Sequence, residues 1–353
     1  MKHIQVSRTG NGLARLLCVS LVLLFAGAAR AQVAGLNTLA VLDLGSTARS
    51  AGMGMDWLAL YGDDLTVGID NPSMLHAAMS HKGVLAYVPL FAGGNMGSLT
   101  YAFATPRTGT IAVGFHFVNY GRFSGYDEEE TYTGDFGAGD YALTVGWGMW
   151  LDSNFSVGAN FKPVLSQYES YTALAATFDL AASYTNDNRS LTATLMARNA
   201  GAQLLTFDGT AERLPFELSA AMSYKLRNAP FRLFAALTEL QRWNLRYTDP
   251  LHPTSVTDPF TGEVTEEGWL AGTFDNLMRH TLFGVELALG RSLYARVGYS
   301  WRQTAEMRGV DAVNFSGFSF GVGVRTRRFE FGYARRNYHM TQAPNYLTIS
   351  YRF

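Results

Sequence analysis

Only one cysteine, Cys18, occurs in the 353 residues, and it lies in the apolar N-terminal segment. The remaining chain has no thiol nucleophile, no disulfide and no cysteine-based metal site. Charge is sparse too, with Asp, Glu, Lys and Arg making up 16% of residues, against about a quarter in soluble domains. Prolines number 10. Past the N-terminal segment no apolar run approaches the ~18 residues that mark a membrane helix, and mean hydropathy is +0.00. No Gly-x-Ser-x-Gly elbow occurs, the histidines are scattered, and Gly321-Val322-Gly323 is alternation within a strand, not a phosphate loop. These absences argue against a helical membrane protein and against an enzyme.

What is present is a period of two. The chain carries 36 glycines, 23 phenylalanines and 18 tyrosines. In the closing segment, Leu347, Ile349, Tyr351 and Phe353 alternate with Thr348, Ser350 and Arg352. That pattern makes a strand with one apolar and one polar face. Ending on an aromatic residue fits a barrel strand whose apolar face meets lipid. Alternation recurs in fourteen segments between residues 83 and 353, 231–242 and 293–302 among them, most near the ~9–11 residues of a tilted membrane strand. Counted back from Phe353, one set of connections is tight, such as Thr326-Arg327 and Gly290-Arg291-Ser292. The other set holds the long segments 120–139, 200–215, 243–279 and 303–315. Outer-membrane barrels sort their loops in this way. The sequence therefore predicts an all-β fold: a fourteen-stranded antiparallel transmembrane β-barrel in the outer membrane of a Gram-negative bacterium, bordered by lipid and lipopolysaccharide.

Residues 1–31 read as a signal peptide. Lys2, Arg8 and Arg15 precede an apolar stretch, and Ala29-Arg30-Ala31 fits a cleavage site. The mature chain then starts at Gln32. Removing Lys2, Arg8, Arg15 and Arg30 from 28 basic residues leaves 24 against 29 acidic ones, a net charge of −5. Nothing in that balance suggests nucleic acid.

Residues 32–82 do not alternate, and are expected to fill the lumen of a barrel formed by 83–353. Gly45–Gly54 reads as irregular, Ser73–Met79 as a short helix, and Asp63-Asp64 as a cap or brace. Charged inward positions of the strands, among them Lys225, Glu286, Arg296 and Arg325, are expected to pair around this plug.

The plug also carries a family resemblance. Arg49-x-x-Gly52-Met53-Gly54, the pair Asp63-Asp64, then Asn71-Pro72-Ser73 resemble the N-terminal hatch of FadL-like barrels. Within them the chain resembles the PorV/PorQ proteins of the type IX secretion system, the PorQ type more than the PorV type. Met55 and Asp56 depart from the residues usual after Gly-Met-Gly. The resemblance implies fourteen strands around a hatch. It also implies a non-catalytic, cofactor-free component that anchors the cell-surface attachment complex, which processes and attaches secreted cargo. PorZ, PorU and PorV would be the partners. The alternative it implies is FadL-like transport of hydrophobic small molecules, with Gly114 and Asn119-Tyr120-Gly121 allowing a sideways opening. It further implies that Tyr351 and Phe353 form the barrel-assembly signal.

Trp243, Tyr247, Phe260, Trp269 and Phe274 fall in the longest outer loop and are docking candidates, or else a cap on the barrel mouth. Asp127–Glu130 suits a solvated face better than a Ca²⁺ site, and His76 with His81 lacks a third zinc ligand. No bound metal is expected. His116 reads as a lumen histidine with its hydrogen bonds satisfied.

Overall fold

The computed structural model describes residues 38–54, 59–105, 107–246, 255–257, 264–266, 269–290, 292–307, 315–337 and 343–353. The expected leader, 1–31, lies outside the described residues, as do Met55, Asp56, Tyr247 and Phe260.

Fourteen antiparallel strands close into a barrel. Its first strands are β1 (Lys82–Pro89), β2 (Asn95–Thr105), β3 (Gly109–Tyr126), β4 (Tyr132–Trp150) and β5 (Phe155–Tyr168). Then come β6 (Tyr171–Thr185), β7 (Leu191–Leu205), β8 (Glu217–Lys225) and β9 (Phe231–Leu237). A separate hairpin, β10 (Ser255–Thr257) and β11 (Val264–Glu266), precedes β12 (Thr281–Leu289) and β13 (Leu293–Ser300). The wall is completed by β14 (Phe318–Arg325), β15 (Phe329–Arg336) and β16 (Asn345–Arg352), with β16 pairing onto β1. Each strand bonds to its neighbour in the wall, so no edge remains for another chain to pair with.

Alternation sets the two faces. Phe283, Val285, Phe320, Val322, Leu347 and Ile349 are exposed on the outside, as lipid contact requires. Their inward neighbours are small or polar and buried, Ser319 and Thr348 among them. Inside lie residues 38–54 and 59–81, of which Ala48–Gly54 and Pro72–Leu75 are buried against the inner faces. No helix among the described residues is long and apolar enough to cross a membrane.

Several segments differ from the sequence reading. The 120–139 connection is mostly strand: β3 and β4 stay paired out to Tyr126 opposite Tyr132. Cross-strand contacts hold this ribbon, including Phe123 on Phe136 at 5.6 Å and a Ser124–Asp135 hydrogen bond of 3.1 Å. Beyond the lipid no apolar face is required, so the period of two disappears while the pairing continues. β7 likewise runs on to Leu205. The expected strand 231–242 stops at Leu237, where Gln241 folds back to accept the Leu218 N–H at 2.8 Å. The strand expected over 293–302 stops at Ser300, whose side chain caps a helix over Trp301–Glu306.

The plug is more ordered at its start than expected. Gly45–Gly54 contains helix α1 (Ala48–Gly52), capped by Thr47. Helix α2 (Leu65–Asp70) follows, capped by Asp64. The helix expected over Ser73–Met79 is instead two 3₁₀ turns, Pro72–Met74 and Ala77–Met79, with extended backbone at Leu75 and His76 between them.

Candidate functional site: the plugged lumen

Thr47 gives α1 its start by accepting the Ser50 N–H at 3.4 Å, and Thr348 of β16 accepts the Ala48 N–H at 2.8 Å. The helix is thereby fixed against the wall, and Arg49 points across the lumen. Its Nη1 donates to Asp64 Oδ2 at 2.6 Å, and its Nη2 to Glu286 Oε2 on β12 at 2.8 Å. Arg296 Nε donates to the same Glu286 oxygen at 2.8 Å. Burial alone would favour the neutral forms of Arg49 and Asp64. The facing charges outweigh it, raising the Arg49 pKa and holding Asp64 well below the usual carboxylate range. One arginine thus ties α1, the start of α2 and the wall together.

Two pairs of glycines in the wall receive the plug. Gly148 and Gly158 face each other across β4 and β5. A Cβ on Gly158 would lie 2.2 Å from the Pro72 carbonyl carbon, and one on Gly148 would lie 2.2 Å from the Pro72 oxygen. Gly284 and Gly298 face each other across β12 and β13. A Cβ on Gly298 would lie 2.2 Å from the Met53 carbonyl carbon. Gly52 rests on Gly321 in the same way, a Cβ on it lying 2.9 Å from the Gly321 Cα. Backbone meets backbone at these points, leaving no room for a side chain.

The Asn71-Pro72-Ser73 turn is held from both sides. Asn71 Oδ1 accepts the Ser73 N–H at 3.1 Å, and Asn71 Nδ2 donates to Thr194 Oγ1 at 3.3 Å. The Ser73 and Ser183 hydroxyls bond at 2.6 Å. Sequence reading found the plug motifs but not the glycines that seat them.

Asp63 lies beside the seam where β1 meets β16. Its Oδ2 is 2.8 Å from Lys82 Nζ on β1 and 2.8 Å from Arg352 Nη2 on β16, and its Oδ1 is 3.1 Å from Arg325 Nη1 on β14. Burial would raise its pKa, but these cations together lower it. The stabilisation is therefore present above the unfolded value near pH 4 and is lost as pH falls through the lowered folded value. Asp63→Asn should weaken the folded barrel by about 1–2 kcal/mol. The measurement is the temperature at which the compact band on an unheated gel converts to the unfolded one. Salt should shrink the difference between variant and wild type.

A cavity of about 130 Å³ lies between the plug and the wall of β2–β7. Val41, Leu42, Leu44 and Ile69 supply apolar lining; Lys162, Asp179 and Arg198 supply charge. Lys162 Nζ is 2.7 Å from Asp179 Oδ1, and Arg198 is paired with Glu217. His116 faces this cavity, and its Nε2 has no hydrogen-bond partner. The expectation of a satisfied lumen histidine is not met at that nitrogen, which is buried without a hydrogen-bond partner. His76 stacks on Tyr61 at 5.3 Å, and His81 lies 3.2 Å from the Tyr101 hydroxyl. Among the described residues, no three His, Cys, Asp or Glu side chains converge where a metal ion would sit.

The docking candidates divide. Trp269 and Phe274 lie on helix α3 (Trp269–His280), 76% and 59% exposed. Trp243 is also exposed and stacks on His280 with centroids 5.9 Å apart. At the other end of the barrel, Tyr351 packs against Phe329 at 4.8 Å, and Phe353 donates its N–H to the His81 carbonyl.

No protein-family model and no curated protein matches the chain. Among solved structures it is similar to a deletion mutant of TodX, titled a monoaromatic hydrocarbon channel. The TM-score is 0.53 and the identity 12%, over 88% of this chain and 99% of that one. Similar too are the Pseudomonas putida toluene transporter TodX (TM-score 0.48, 10% identity, 91% and 98% covered) and a Pseudomonas aeruginosa FadL homologue (0.46, 12%, 87% and 98%). With its closed wall of fourteen strands, lipid-facing exterior and likeness in fold to the TodX mutant, the chain is an outer-membrane β-barrel protein.

Proposed function

We propose that this barrel passes small molecules with apolar surface across the outer membrane, as a non-catalytic FadL-like transporter. The observation that carries the reading is the cavity beside the plug and the stretch of wall it abuts. There the ladders are irregular: β3 shifts register between Asn119 and Gly121 against β4, and β6 between Phe178 and Leu180 against β7. Between them, Leu143 and Thr144 of β4 are left out of the ladder where Pro163 interrupts β5. Gly114 and Thr144 line the cavity itself. A volume of about 130 Å³ suits a one-ring molecule, since an apolar cavity of ~150 Å³ holds benzene. The TodX neighbour's title names monoaromatic hydrocarbons. Charge at Lys162 and Asp179 favours a ring that bears a polar group.

A second reading, a scaffold of the type IX surface-attachment machinery docking PorZ-like partners, draws support from α3. Trp269, Leu270, Phe274 and Leu277 are all exposed on it, at a spacing that shares one helix face. The test is native mass spectrometry of the barrel purified from outer membranes in detergent, with and without added phenol. Retention of a one-ring compound by wild type, and its loss in Thr144→Trp, is the expected result. Recovery of surface proteins with no retained small molecule would replace the transport reading with the scaffold.

A further inference from the structure

Four inward positions form one row across four strands. Lys225 stands directly opposite Arg232, Arg232 opposite Glu286, and Glu286 opposite Arg296. The row holds three cations and one carboxylate, and that carboxylate is already engaged. Glu286 takes Arg49 and Arg296 at 2.8 Å each, while Arg232 stays 4.0 Å away. Nearby carboxylates are engaged as well: Asp64 by Arg49, Glu330 by Arg325, and Asp63 by Lys82, Arg325 and Arg352. Lys225 has no carboxylate partner among the described residues. Like charges directly opposed across an antiparallel pair repel.

Lys225 and Arg232 both line a cavity of about 360 Å³, distinct from the one beside His116. It lies at the end of the tight turns, where Pro230 and Gly290 form part of its rim. Arg49 and Arg325 also face it, against only Glu286 and Asp63, so its lining carries a surplus of two positive charges.

We propose that this cavity binds a small soluble dianion of phosphate type, which bridges Lys225 and Arg232 and relieves their repulsion. A guanidinium fork matches an oxyanion in shape, and an ammonium adds a point charge beside it. The site needs no assumption about what crosses the barrel, since it rests on a different cavity and different residues.

The test uses the whole barrel in an uncharged detergent at neutral pH, with inorganic phosphate against chloride at equal ionic strength. Phosphate should raise the wild-type unfolding temperature where chloride does not, because a ligand that binds only the folded state stabilises it. Lys225→Gln should weaken apparent phosphate affinity by about tenfold or more. Lys225→Gln/Arg232→Gln should abolish the shift. Without phosphate, Lys225→Gln should unfold at the same temperature as wild type or higher, since it removes a repulsion. An equal phosphate shift in the double variant, no shift in wild type, or destabilisation by Lys225→Gln without phosphate would each overturn the proposal.

Discussion

Gly158→Val should expel the plug from its seat in the wall. The new Cβ would need the space of the Pro72 carbonyl carbon, 2.2 Å away, and of the Ser73 nitrogen, 2.5 Å away. Neither is the end of a flexible side chain. The opposed Gly148 is pressed on the same carbonyl, so the turn cannot slide toward β4. Lifting it breaks the Ser73–Ser183 and Asn71–Thr194 bonds inside the lumen. Overpacking costs about 1–3 kcal/mol, and each buried polar group left unpaired adds about 1–3. A total near 4 kcal/mol falls on the plug and not on the barrel ladders. Limited proteolysis should therefore cut the N-terminal segment in Gly158→Val while the compact band on unheated gels persists. Gly137→Val is the matched control, because a Cβ there meets nothing closer than 4.0 Å. Equal protease resistance in both variants would refute the seat.

Arg49→Met should loosen the plug by about 3–5 kcal/mol, the usual loss when one partner of a buried pair is removed. The penalty falls mainly on Asp64. Glu286 keeps Arg296, whereas Asp64 is left with only its bonds to Thr66. The dependence on pH should reverse along with it. In wild type the lowered Asp64 pKa contributes stability above the unfolded value near pH 4, lost as pH falls through the folded value. In Arg49→Met the buried, unpaired carboxyl has a raised folded pKa, so protonation helps and plug stability should increase as the buffer is acidified. Arg49→Met/Asp64→Leu should recover most of the loss, because an apolar pair of similar volume commonly replaces a buried ion pair without penalty. Proteolysis of the N-terminal segment across a pH series measures all three proteins. A double variant as labile as Arg49→Met would show that the arginine acts otherwise than through Asp64.

The strand number and the inward and outward faces were legible in the sequence, but the length of the 120–139 connection was not, since most of it is strand. The number and the faces follow from a two-residue repeat that lipid on one side and a filled lumen on the other impose locally. The ribbon of Gly121–Tyr126 against Tyr132–Ala138 was not legible, because past the lipid nothing selects one apolar face. Helix α1 was hidden by its glycine-rich surroundings, although Thr47 followed by Ala48 carries a weak start signal. The seats were beyond reach for a different reason. Gly158 and Gly298 look like any small inward residue, and the partners that require them lie far away in the chain. Arg49 and Glu286, likewise, are 237 residues apart. Their types suggested that lumen charges pair, but no local pattern could say which with which.

The contacts of Asp63 make the plug part of the barrel's closure. This one carboxylate draws on Lys82 from one edge of the closing seam and on Arg352 from the other. Those two basic groups belong to directly paired residues of β1 and β16, and without Asp63 they would confront each other as the edges come together. The seam is thus complete only with the N-terminal segment in place, because an empty cylinder would leave two positive charges facing each other at its join.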